Sequence, residues 1–209
     1  MKPTPEDVRR ELNKEIVQEV LTEKRLQFSI EHLVIKEAMV NGMTSAECEL
    51  LVKNLEGEAI AYNVKGVGKG LLDALFNALI TELVDDCHSL SNLRLEEFQV
   101  RVDEKDLRKL RRQGRGTDAH VEISLIINNG CGKLIPFRSR HRSIIAASVD
   151  VVIRTVEFFV NSERAVFRLR GLIENASSRN RADLVEQYML MLSSLVCNTS
   201  YEESLKKNE

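Results

Sequence analysis

Tyr62-Asn63-Val64-Lys65-Gly66-Val67-Gly68-Lys69-Gly70-Leu71-Leu72-Asp73-Ala74-Leu75 passes from an apolar, strand-like segment through three glycines into a helical apolar pattern. Glycine lets the backbone take positive φ and come close to another backbone or a ligand. Because the turn opens a helix, its free N–H groups and the positive end of the helix dipole suit a carboxylate or phosphate. The plain alternative is a strand-to-helix turn that needs small residues only for its geometry. The spacing excludes two phosphate-binding loops. Gly70 is not followed by Lys and Ser/Thr as in a P-loop, and the glycines run G-x-G-x-G, not G-x-G-x-x-G.

Upstream of this turn the period is two. Ala46, Cys48, Leu50 and Val52 alternate with Ser45, Glu47, Glu49 and Lys53, the pattern of a strand with one buried face. Ile30 to Val40 reads as the strand before it, closed by the hairpin-type turn Asn41-Gly42. Glu58 to Val64 reads as the strand after it. Downstream, Leu72, Leu75, Phe76, Leu79, Ile80 and Leu83 form the stripe of an amphipathic helix.

The same order then recurs. Phe98, Val100 and Val102 alternate with polar neighbours, as do Val121, Ile123, Leu125 and Ile127. Asn128-Asn129-Gly130 turns the chain into Gly132 to Phe137, and Ser143 caps a helix whose Ile145, Ser148, Val149, Val152, Val156 and Phe159 share a face. The expected fold is therefore α+β: two pseudosymmetric strand-strand-strand-helix units with antiparallel sheets. Thr4-Pro5 opens a helix to about residue 25, with Val8, Leu12, Ile16 and Val17 at helical spacing. Glu163 to Ser177 and Arg181 to Cys197 read as two closing helices, and Tyr201 to Glu209 as a frayed end. This divides the chain into an N-terminal helical extension (1–28), a central domain (29–161, with units 29–86 and 92–161) and a C-terminal helical extension (162–209).

The run Gly68-Lys69-Gly70-Leu71-Leu72-Asp73-Ala74 resembles the G-x-G-P-V-D-A turn in the C-terminal regulatory domain of 2-isopropylmalate synthases and their citramalate and homocitrate relatives. Ser143-Ile144-Ile145-Ala146-Ala147-Ser148 likewise resembles the D-I-V-x-A-S that opens the second helix of that family. The resemblance covers about residues 29 to 161 and implies a dimeric, non-catalytic module that binds leucine or a related amino acid. By position, the implied ligand-binding residues are Gly68, Lys69, Gly70, Leu72, Asp73 and Ala74 in the first unit, and Ser143, Ile145, Ala147 and Ser148 in the second. A catalytic synthase subunit is the implied protein partner. No cofactor is implied.

Three departures from the family pattern shape the expectation. Leu71 stands in place of a proline. Arg138-Ser139-Arg140-His141-Arg142 stands where the family carries glycines and an acid, so Arg138, Arg140 and Arg142 become candidates for a more anionic ligand; the alternative is a solvated basic turn. Nothing upstream of residue 28 can form the catalytic barrel of those synthases, and His32, His88, His120 and His141 show no H-x-H or H-E-x-x-H spacing. The competing expectation is an interaction protein that kept the fold and lost the effector site.

With 30 basic against 32 acidic side chains the net charge is −2, which implies no global attraction to nucleic acid or to a membrane. The one strongly basic run, Lys105 to Gly116, lacks interleaved aromatics and reads as a mobile hairpin loop. The four cysteines are scattered without a C-x-x-C pair and read as reduced, mostly buried thiols of a cytoplasmic protein. No G-x-S-x-G elbow or other nucleophile context occurs.

Overall fold

The computed structural model describes residues 5–112, 114, 119–130 and 132–199, with no account of the side chains of 197–199. It is α+β. Helix α1 (Pro5–Leu21) leads through a 3-10 turn into β1 (Leu26–Ala38), β2 (Met43–Asn54), β3 (Ala59–Gly68) and α2 (Leu71–Leu83). A second 3-10 turn (His88–Asn92) leads to β4 (Arg94–Val102), α3 (Glu104–Arg111), β5 (Val121–Asn128), β6 (Leu134–His141), α4 (Ile144–Ser178) and α5 (Ala182–Thr199). The strands make two antiparallel three-stranded sheets, in the orders β1-β2-β3 and β4-β5-β6. The expected double strand-strand-strand-helix order is the observed one.

Alternation decides which face is buried. In β2, Thr44, Ala46, Cys48, Leu50 and Val52 point inward, and in β5 Val121, Ile123, Leu125 and Ile127 do so. These faces, with α2 and α4, form one core that runs through both units. Phe137, Phe158 and Phe159 pack on one another within it in edge-to-face and tilted contacts with centroids 5.3 to 6.1 Å apart. A second, smaller core forms where Ile16, Val17 and Leu21 of α1 meet Val166 and Leu169 of α4 and Leu195 of α5. The terminal helices thus pack on each other through the far half of α4.

Several elements differ from the sequence expectations. The helix opened by Ser143 and the one expected over Glu163–Ser177 are a single 35-residue helix. Asn161, which resembles a helix start, instead turns outward from α4: its Oδ1 accepts the Leu26 amide at 2.8 Å and its Nδ2 donates to the Leu26 carbonyl at 2.8 Å. Lys105 to Arg111 belongs to α3 and not to a hairpin loop, because Asp103 caps that helix by accepting the Lys105 and Asp106 amides. Gln113, Arg115 and Gly116 of that basic run lie outside the described residues, as do Thr4, Cys131 and Tyr201 to Glu209. The third strand of the first unit continues through Gly66 to Gly68, and that of the second runs to His141, which puts Arg138 and Arg140 on a strand and not in a turn.

Candidate functional site

The glycines of the opening stretch are explained first by packing. A Cβ on Gly66 would lie 2.3 Å from the Ala74 carbonyl oxygen, and one on Gly68 would lie 2.5 Å from the Ala74 nitrogen and from Asp73 Oδ2. Strand β3 therefore approaches the backbone of α2 as closely as only glycine allows. Gly70 faces open space, but its φ of 100° lies in a region that favours glycine.

The α2 start carries an acid of its own but no side-chain cap. Asp73 Oδ2 accepts the Lys69 amide at 2.8 Å, and the Ala74 amide already bonds the Gly70 carbonyl. A ligand carboxylate arriving here would meet the Asp73 carboxylate. Leu72 packs against the core and Ala74 is fully buried, while Lys69 is exposed. The α4 start is capped, since Ser143 Oγ accepts the Ala146 amide at 3.2 Å. Ala147 and Ser148 are buried, with Ser148 Oγ bonded to the Ile144 carbonyl, and Ile145 is exposed. Neither Lys69–Ala74 nor Ser143–Ser148 lines the cleft between α1 and β6 described below.

The basic residues behave differently from one another. Arg140 pairs with Asp103 at 2.7 Å, and Arg142 is exposed beyond the end of β6. Arg138 turns toward α1. Its guanidinium reaches Asp7 at 3.5 Å, and Asp7 also pairs with Arg10 at 3.6 Å. Arg10 pins the helix to the strand: it donates to the Pro136 carbonyl, and its guanidinium carbon lies 5.6 Å over the Phe137 ring.

Between α1 and β6 this arrangement leaves a cleft of about 490 Å³, within the usual range for small-molecule sites. Its walls are apolar where Ile126, Leu134, Ile135, Pro136 and Phe158 contribute. Its polar groups are Arg9, Arg10, Lys133 and Arg138 against Glu6, together with Asn13. Four cations against one lining anion, with Asp7 shared between two of them, leave the cleft positive. Asn13 is fully buried, and its Oδ1 accepts from Ser194 Oγ at 3.4 Å. Its Nδ2 and the Nε of Arg10 have no acceptor among the described residues. A buried donor without an acceptor costs about 1 to 3 kcal/mol. A smaller cavity of about 310 Å³ on the other side of Arg10 adds Lys14, Arg25 and Arg154 to the same basic zone.

Reactive groups elsewhere serve the fold. Glu163 is buried and accepts from Cys87 Sγ at 3.0 Å, from the Ser89 amide at 2.8 Å and from the His88 amide at 3.1 Å. Burial, and then the Glu163 carboxylate, push the Cys87 thiol up, and burial raises Cys48 to about 11, so neither is an activated nucleophile. Among the described residues no group of three or more His, Cys, Asp or Glu is placed to hold a metal, and no helix is long and apolar enough to cross a membrane.

Neither the models of known protein families nor the curated proteins contain a match to this chain.

Proposed function

We propose that this protein is a non-catalytic, cytoplasmic regulatory module that binds a small carboxylate with an apolar portion, in the cleft between α1 and β6. The observation that carries the reading is the convergence of Arg9, Arg10, Lys133 and Arg138 on one apolar-walled cavity. The guanidinium groups would take the carboxylate, and Ile135, Pro136 and Phe158 the hydrocarbon part. Leucine and its 2-oxo acid have that shape, in keeping with the resemblance of the glycine turn and of Ser143–Ser148 to the synthase regulatory domain. The cleft is favoured over the helix starts because the Asp73 carboxylate stands against an anion at α2 and Ser143 caps α4. Ligand binding would act by tightening α1 against β6. Because α1 also packs on α4 and α5, that change would reach the surfaces offered to a second subunit or to a partner enzyme.

Isothermal titration with leucine, 4-methyl-2-oxopentanoate and inorganic phosphate tests this. Saturable heat with at least one of the two carboxylates, reduced about tenfold or more by Arg138→Gln and unchanged by Gly70→Ala, is the expected result. Binding lost in Gly70→Ala and retained in Arg138→Gln would return the site to the glycine turn.

A further inference from the structure

Strands β1 and β4 open the two units and occupy equivalent edges of the two sheets. Their inner faces are treated differently. α4 reaches across to β1, where Phe28 is buried and Asn161 and Glu157 bond the strand's own backbone. α2, with 13 residues against 35 in α4, gives β4 no such cover. Phe98, Val100 and Val102 are accordingly 56%, 46% and 47% exposed, although their cross-strand partners Leu125 and Ile123 are fully buried on the same face. An edge strand with an apolar face and open backbone groups is a template for another strand.

The sequence of β4 specifies which strand fits. Glu97-Phe98-Gln99-Val100-Arg101 is its own complement when reversed about Gln99. A two-fold axis through Gln99 would set Glu97 opposite Arg101 of the second copy, twice, and Phe98 opposite Val100, twice. Glu97, Gln99 and Arg101 already share one face, linked by contacts of 2.6 Å from Gln99 to Glu97 and from Arg101 to Gln99. We propose that β4 pairs antiparallel with β4 of a second copy of this chain, joining two three-stranded sheets into one of six strands. Opposite charges and aromatic–aliphatic pairs directly across a ladder stabilise it, and like charges there oppose it. This interface goes beyond the effector cleft and does not depend on it.

Analytical ultracentrifugation of the full chain over a range of concentrations tests the pairing by charge exchange. Glu97→Arg alone and Arg101→Glu alone should each weaken the dimer about tenfold or more, because each sets like charges opposite one another twice. The double variant Glu97→Arg/Arg101→Glu should restore it, and the two single variants mixed should form a heterodimer. Both positions are exposed, so circular dichroism should show the variants folded. A wild-type chain that sediments as a monomer throughout, a dimer indifferent to both single changes, or a double variant that fails to regain association would each overturn the proposal.

Discussion

Asp73 Oδ2 accepts the Lys69 amide at 2.8 Å across the mouth of α2. The acid thereby ties the turn before Gly70 to the first turn of the helix and places a negative charge at its positive end. Asp73→Ala should cost about 1 kcal/mol of stability, and Asp73→Asn less, because the amide oxygen still accepts. Urea denaturation midpoints at constant slope measure both. A ligand that bound at this turn would instead be helped by removing the acid.

The three glycines of the turn should separate by mechanism. Gly66→Ala and Gly68→Ala force a Cβ to within 2.5 Å of α2 backbone, which has to move, at a cost of about 3 kcal/mol or more. Gly70→Ala meets no atom and suffers only the conformational penalty of its φ, about 1 to 2 kcal/mol. Thermal melting should rank Gly70→Ala as the mildest of the three.

Glu163 ties α4 to the 3-10 turn before β4 through two amides and a thiol. Glu163→Ala leaves those donors without an acceptor and should destabilise by about 2 to 4 kcal/mol. Glu163→Gln keeps one carbonyl oxygen and should lose less. Hydrogen exchange would locate the damage: the Ser89 amide should lose its protection before the β5 amides do.

Much of this architecture is legible in the residues, and the failures have identifiable causes. β2 and β5 alternate cleanly because each has one face on the core, and Gly66 to Gly70 mark the close approach of β3 to α2. The join at Glu163 is not legible, because Asn161 and Ser162 look like cap residues while Asn161 is in fact recruited by β1, 135 positions away. The α3 cap is a single residue, Asp103, and the basic residues that follow it resemble a solvated loop. The cleft itself could not be read from local pattern. It exists only because Arg10 reaches Pro136, 126 positions along the chain, and a run such as Arg138 to Arg142 does not reveal which arginine will face α1.

Glu157 offers a pH test of the packing of α4 on β1. Burial raises its pKa from the ordinary 4.5, although it accepts the Phe28 amide at 3.1 Å. A carboxyl whose pKa rises on folding binds its proton more tightly in the folded state. Its contribution is therefore complete below 4.5 and is lost as pH rises through the raised value. Glu157→Gln should remove that slope and leave the variant at least as stable as the wild type at neutral pH. Melting temperatures across the acidic range should show the wild type losing ground to the variant as pH increases.

The most direct test of the effector cleft is an NMR titration of the labelled protein with leucine and with 4-methyl-2-oxopentanoate, followed through backbone amides. The account predicts saturable shifts concentrated at Arg9, Arg10 and Asn13 on α1 and at Ile135 to Arg138 on β6, with Lys69 to Ala74 and Ser143 to Ser148 unmoved. Shifts centred on those two helix starts, or no saturable shift with either carboxylate, would contradict it.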